Sequence, residues 1–470
     1  MQQERVGFEM QASVGLMDIL RGAGGLLSAH QRGMLIGAQN LSNISTPGYH
    51  RRDLRFDTSR SIRALGVTDT RILRAQSPLL RENLGLQLSK SGFASVRYEG
   101  LHEVESALVA SGDQSLVNLT SKFFNAWRAL EAAPDDLLLR GELLTSADDV
   151  TSSIRRTYEL LSREGKSIDM QIKNVIGDIN GLLKHIADIN GEIKASEPGS
   201  DQAADLMDER DRTLDKLSRL VSIRTKEDSH GSVQVIFPQS GVLVEGAAFS
   251  EFKVSIDAST GYTTVMRPGD NKLLSKGEDV GGELGAFLSI RDEDLVGLKS
   301  RLNQWSKEFI QTANDVHKNL VDLEGQTGRD LFSYVSLENA AETISLNPDV
   351  KNKPQRVAIA RDVSRLPGDS SGVLRFLEAF DKSVDAFSGR TLTSDMTDIV
   401  TSFGRDVSLA SNKNDSEDAL LNGILNMYDS HTGISLEEQT LIISQYQRAF
   451  EAMSKVLKTV DDMFDALMEI

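Results

Sequence analysis

The chain carries a heptad stripe at each of its two ends, and this pairing limits its fold more than any other feature. From Leu16, the residues Leu20, Ala23, Leu27, His30, Met34, Gly37, Leu41 and Ile44 recur at alternating spacings of four and three, which sets them on one face of a helix. Near the other end Leu436, Ile443, Phe450, Leu457 and Phe464 interleave with Tyr446, Met453, Val460 and Leu467 in the same rhythm. As helices they would span about 44 Å and about 54 Å. Each stripe needs a partner surface, so the two ends are expected to meet.

Charge agrees with that pairing. Between Leu16 and Arg60 six arginines against three aspartates leave three positive charges, whereas Ser435 to the end carries four net negative charges. Exposed charges of opposite sign set register and specificity more than affinity.

Glycine shapes the first end. Gly22, Gly24, Gly25, Gly33 and Gly37 each disfavour a helix interior by roughly 0.8–1 kcal/mol relative to Ala. Covering one Leu or Met contributes about 1.5–3 kcal/mol, but only against a partner. This load points to ends that are disordered in the free subunit and helical after assembly, beside the plainer reading of an intramolecular helical hairpin. Asn40-Leu41-Ser42-Asn43-Ile44-Ser45-Thr46-Pro47-Gly48-Tyr49 follows. Pro47 pushes Thr46 out of helical geometry, so the first helix should stop near Ser45, and Gly48 is free to take a positive φ. The basic run His50, Arg51 and Arg52 then reads as a solvated loop.

At 470 residues the chain is too long for one core, and two to four domains are expected. A net charge of -17 without a dense basic run argues against a nucleic-acid partner. There is no cysteine, which excludes disulfides, thiolate catalysis and cysteine-based metal sites. Glu4, Arg5, Glu9 and Asp18 interrupt the start, so it does not read as a cleavable secretion signal, and no stretch is long and apolar enough to span a bilayer.

The layout that follows is mainly α: a long helical rod, terminal coiled-coil helices brought together, and a small β-rich insertion. Residues 1–13 read as a leader tail, 14–60 with 430–470 as a terminal coiled-coil assembly domain, 61–221 with 283–429 as the helical rod, and 222–282 as the β insertion. Residues 53–77 read as extended and irregular. Leu138 to about Ile193 is one long helix, weakened at Gly165, Gly177, Gly181 and Gly191, and Ala204 to Leu220 is a charged amphipathic helix. Short alternating runs such as Val233–Phe237 and Phe252–Ile256 read as strands. Helical patterning resumes from Leu284 to Leu323, breaks through a polar stretch to Pro367, and returns from Val373.

Catalytic motifs fail on inspection. Gly368-Asp369-Ser370-Ser371-Gly372 has the small-x-Ser-x-small spacing of a nucleophile elbow, yet Ser364-Arg365-Leu366-Pro367 is no buried strand, so a loop capping the next helix fits better. Gly165-Lys166-Ser167 has Leu160 where a phosphate loop needs its first glycine. The seven histidines show no metal-ligand spacing, with His30 and His185 expected at helix interfaces. Asp208, Glu209, Arg210 and Asp211 read as a structural charged face. No catalytic residue, cofactor or metal is expected.

Asn40-x-x-Asn43-x-x-Thr46-x-Gly48-Tyr49 with a following Arg resembles the amino-terminal signature of bacterial flagellar rod, hook and hook-associated proteins. Together with Phe450, Leu457, Thr459 and Met463-Phe464-Asp465-Ala466-Leu467, the chain is similar to the hook-associated family of the hook-filament junction. Asp205 to Asp211, Leu214, Leu217 and Gly328-Arg329-Asp330-Leu331-Phe332 agree, so the resemblance covers nearly the whole chain. Two departures are the extra leader and a region between Phe332 and Val373 too short for a large outer β domain.

The resemblance implies a structural subunit of the flagellum, exported unfolded through the flagellar type III apparatus and assembled as a homo-oligomeric ring joining hook to filament. Its implied partners are hook subunits, a second junction protein, filament subunits and, before export, a cytoplasmic chaperone on the carboxyl-terminal helix. Neither nucleic acid nor membrane is a partner. The assembly interface would comprise Leu20, Leu27, Met34, Asn40, Leu41, Asn43, Ile44, Thr46, Pro47, Gly48 and Tyr49 with Ile443, Tyr446, Phe450, Met453, Leu457, Val460, Phe464 and Leu467. Another axial subunit of hook, rod or filament, or a cytosolic coiled-coil protein, are the alternatives.

Overall fold

The computed structural model describes residues 2–58, 67–109, 115–228, 231–274 and 276–468, with side chains from Leu20 onward except at 57–58, 67–69, 109 and 467–468. Helix dominates, as the periodicity requires, and the strands form small antiparallel sheets. The axis of the molecule is α4 (Leu137–Ala195), whose 59 residues make it about 88 Å long. Asp136 starts it by accepting the Leu138 and Leu139 N–H groups. Val150, Ile154, Leu161, Ile168, Ile172, Ile179 and Ile186 line its buried face at helical spacing, and Leu143 and Ala147 extend that face toward the start.

Around one half of α4 lies an aromatic core. Helix α3 (Leu116–Ala132) contributes Phe123 and Trp127, α8 (Leu295–His317) contributes Trp305 and Phe309, and α10 (Ser371–Phe380) contributes Phe376 and Phe380. Trp127 stacks on Phe376 at 3.8 Å between centroids. Helix α2 (Pro78–Val109) pairs with α11 (Leu392–Thr432), where the buried Gln87 amide donates to the Glu417 backbone carbonyl at 3.0 Å.

Beside α4 and α5 (Asp201–Leu220) lies the β insertion. Strands β3 (Arg224–Glu227), β4 (Val233–Phe237), β5 (Gly241–Glu245) and β6 (Ala248–Phe249) form one sheet in that order, and β7 (Lys253–Ile256) forms a hairpin with β8 (Thr263–Met266). Val233, Val235 and Phe237 alternate inward along β4, which is why this segment reads as a strand.

Three short helices, α6 (Gly277–Val280), α7 (Gly282–Ser289) and α9 (Ala340–Thr343), lie between the longer ones, and the polar stretch from 318 to 370 is less open than its composition suggests. Asn314 brackets Phe332, donating to its carbonyl and accepting its N–H, both at 2.9 Å. His317 is fully buried, with Nε2 accepting the Ala358 N–H at 2.9 Å and Nδ1 against the Arg329 carbonyl. Burial pushes this imidazole down to about 4. Asp369 accepts the Arg361, Asp362 and Ser371 N–H groups, so the segment with elbow-like spacing is a capping loop.

At the ends, α1 (Gln2–Ser42) and α12 (Leu436–Met468) pair with each other. The helix begins at Gln2, so the leader expected as a tail shares the helical backbone of the stripe. The stretch expected to be irregular holds a hairpin instead, β1 (Arg52–Thr58) against β2 (Val67–Arg74), while Leu65 and Gly66 lie outside the described residues. Its alternation was masked by charge, because both Arg52 and Arg74 turn inward toward acids.

Candidate assembly interface

Helices α1 and α12 run antiparallel, with Gly33 facing Tyr446, Gly37 facing Ile443 and Asn40 facing Gln439. A Cβ on Gly33 would stand 2.7 Å from the Tyr446 ring, and one on Gly37 would stand 2.6 Å from Ile443 Cγ1. These glycines are therefore close-approach sites rather than only weak points of the helix. Gly24 has open space around it and makes no such contact. The ends in this structure form the intramolecular hairpin, and the glycine load that argued for disorder is in part the seam itself.

The seam lies slightly round the helix from the expected stripe. Ala23, Ala29, Gly33, Ile36, Gly37 and Asn40 are buried, whereas Leu20, Leu27, Met34 and Leu41 are half-buried and Ile44 is exposed. Ile44 fails because the helix stops at Ser42. On α12 the expected stripe faces α1: Val460 is buried and Ile443, Tyr446, Phe450, Met453, Leu457 and Phe464 are half-buried. Leu436 is exposed at the first turn, and the side chains of Leu16 and Leu467 lie outside the described residues. His30 sits at the interface as expected, within 6.0 Å of the Tyr446 ring and 5.9 Å of Phe56.

Where α1 ends, Asn40 forms a buried hub. Its amide donates to the Arg52 carbonyl at 2.8 Å and to Gln439 Oε1 at 2.9 Å, and its oxygen accepts the Arg52 N–H and the Tyr49 hydroxyl, both at 3.0 Å. Burial pushes the Tyr49 hydroxyl up to about 12, which keeps it a donor. Asn43 donates to the Gln39 carbonyl and accepts the Thr46 hydroxyl, closing the turn. Thr46, Pro47 and Gly48 are exposed. Gly48 has φ +73°, and a Cβ there would meet Arg212 Cγ at 2.6 Å, so this position excludes a side chain twice over.

The basic run that follows is not solvated. His50 and Arg52 are buried. Nδ1 of His50 lies 2.8 Å from Asp208 Oδ1 and its Nε2 lies 2.8 Å from the Tyr428 hydroxyl of α11. Arg52 reaches Asp205 at 2.5 Å and Asp208 at 3.1 Å, and Arg74 reaches Asp208 at 2.7 Å and Asp211 at 2.6 Å. Arg81 pairs with Asp215 at 2.7 Å. Burial works against the Asp208 carboxylate, but the His50 hydrogen bond and Arg74 more than offset it and hold the group below the usual carboxylate range. Asp211 is depressed further, with Arg74, Arg81 and Arg210 outweighing its burial.

These contacts gather six elements at one node: the end of α1, the β1–β2 hairpin, the start of α2, α5, the end of α11 and the start of α12. The Arg51 N–H donates to the Thr432 carbonyl at 2.8 Å, closing the circle. The charged face of α5 is structural, as its pattern implies. Its partners were legible only as an excess of inward-facing arginines 130 to 160 positions earlier. The arrangement joins elements, and among the described residues there is no group of three or more His, Asp or Glu side chains placed to hold a metal ion.

Comparison with known proteins places this geometry. Residues 101–332 match the flagellar hook-associated protein FlgK helical domain, and residues 432–470 match the flagellar basal body rod FlgEFG protein C-terminal family. Flagellar hook-associated protein 1 of Bacillus subtilis is 21% identical over 486 residues, covering 94% of this chain and 96% of its own. That of Salmonella typhimurium is 25% identical over 69% of this chain and 62% of its own. The solved flagellar hook junction protein FlgK from Burkholderia pseudomallei superimposes with a TM-score of 0.64 at 13% identity, covering 75% of this chain and 100% of that one, a likeness of fold.

Proposed function

The chain belongs to the flagellar hook-associated protein 1 family, structural components of the bacterial flagellum at the junction of hook and filament, and from that premise we propose how it is built in. The family is structural and not enzymatic, and its place is outside the cell.

The subunit leaves the cell unfolded through the flagellar type III apparatus and assembles through α1 and α12 as a homo-oligomeric ring. Hook subunits lie on one side of it, and a second junction protein and filament subunits lie on the other. The observation that carries this reading is the state of α12. After pairing with α1, six of its stripe residues remain half-buried, and Leu441, Val456 and Met463 on the remaining surface are 42–55% exposed. A soluble helix finished within its own chain would cover that surface, so α12 has the form of a helix with further neighbours to meet. The same surface would be capped before export by a cytoplasmic chaperone laid along the helix. Absence of cysteine suits an unfolded passage, since no disulfide has to be broken.

The residues proposed to carry assembly are those of the two stripes together with the Asn40–Tyr49 turn. Deleting Leu457 to Ile470 tests this. The expected result is a folded rod domain by circular dichroism and hooks that carry no filament. Filaments attached to the hooks of such cells would overturn the reading.

A further inference from the structure

Three polar side chains on α4 fall within about an 80° arc of its surface, and each holds the backbone of the β insertion. Asp169 accepts the Thr263 N–H at 2.7 Å and the Thr263 hydroxyl at 2.9 Å. Asn180 brackets Phe252, accepting its N–H and donating to its carbonyl, both at 2.9 Å. Asn190 brackets Val233 in the same way, at 3.1 and 2.9 Å, and also donates to the Gly246 carbonyl at 3.2 Å. Arg291 locks the first of these, donating to Asp169 at 2.7 Å and to the Thr263 carbonyl at 2.8 Å. The contacts extend over about 31 Å of helix.

The same stretch of α4 holds its weakest residues. Gly165, Gly177, Gly181 and Gly191 each lower helix stability relative to alanine. The insertion touches two of them: a side chain on Gly165 would strike the Tyr262 hydroxyl, and one on Gly191 would stand 3.7 Å from Ala247 Cβ. Gly177 and Gly181 face open space. Below this stretch, residues 137–160 contain one glycine, Gly141, and among the described residues they make no polar bracket of this kind to the insertion. Between the three polar contacts Phe252, Val265 and Leu243 of the insertion join the same buried core as Ile172, Ile176 and Leu183 of α4.

We propose that the β insertion is a splint for α4, pinned at Asp169, Asn180 and Asn190, which stiffens the glycine-bearing half of the rod so that it transmits load as one lever. An appendage hung from its two chain connections would need no contacts at three separate turns. Bidentate amide brackets also fix rotation as well as distance, which apolar packing alone does less well.

The test is hydrogen exchange on the full chain carrying Asn180→Leu and Asn190→Leu. Amides of 165–193 should exchange at least tenfold faster, while those of 137–160 keep their protection. Adding Gly177→Ala and Gly181→Ala, which meet no atom, should restore 165–193 but leave the strands of the insertion fast. The milder pair Asn180→Asp and Asn190→Asp, which keeps the acceptors and loses the donors, should move 165–193 the same way by less. The proposal is overturned if 165–193 keeps its protection while the strands loosen, if protection falls equally along all of α4, or if the alanines restore nothing.

Discussion

The side-chain amides of Asn40 and Gln439 meet at 2.9 Å although 399 positions separate them in the chain. Both are about 1% exposed, and Asn40 holds the Arg52 backbone and the Tyr49 hydroxyl at the same time. One residue therefore fixes three things: where α1 stops, how the hairpin leaves it, and the register of α12 against it. Asn40→Ala leaves three buried polar groups and the half-buried Tyr49 hydroxyl without this partner and should cost about 3 kcal/mol. Thermal unfolding of the purified subunit should show the loss in the terminal helices, with the aromatic core around Trp127 unaffected.

Two glycines on one helix should respond to alanine with opposite sign. Gly24→Ala enters open space and should stabilise the terminal helices by up to about 1 kcal/mol. Gly37→Ala drives a methyl group into Ile443 and should destabilise them despite the better helix propensity. Denaturant titration followed by the helical signal of both variants distinguishes a seam from a merely weak helix, for which both substitutions would stabilise.

The ionic node should not tolerate loss of its central acid. Asp208 stands between Arg52, Arg74 and His50, all buried. Asp208→Asn leaves two guanidinium groups without their shared carboxylate, a change that typically costs about 3–5 kcal/mol. The midpoint of unfolding should fall accordingly. The exposed pair His185–Glu209, which joins α4 to the neighbouring face of α5, should give less than about 1 kcal/mol when broken.

Acid should act in two stages. The His317 imidazole lies at about 4 in the folded chain against 6.5 when free, so the unfolded chain takes up the proton first. Its contribution is complete above pH 6.5 and is lost as pH falls toward 4, a change of about 3 kcal/mol. Asp208 and Asp211 are held below their ordinary 3.8, so their contribution persists to that pH and is lost only beneath it. Stability measured from pH 7 to 3 should show both stages, and His317→Gln should shrink the first, leaving the smaller part from His30, which burial also lowers, while the second is unchanged.

Much of this was legible in the residues. The helical rhythm from Leu144 to Ile193 gave α4 as Leu138 to about Ile193, nearly to its ends, and the α12 stripe faces α1 as its heptads imply. The β1–β2 hairpin was hidden because Arg52 and Arg74 occupy inward positions that apolar residues usually fill, and their acids lie on a helix far along the chain. The α1 seam was displaced for a related reason. A heptad search rewards Leu and Met, whereas an interface of close approach is built on Gly33 and Gly37, where side chains are missing.

Assembly through α12 requires that its exposed surface be completed by neighbouring subunits. Hydrogen exchange of residues 441–466 in the free subunit and on isolated hook-junction assemblies measures it. Pairing with α1 alone should give the helix limited protection in the free subunit, and protection should rise by roughly a hundredfold or more in the assembly. Equal protection of this helix in both states would contradict assembly through α12.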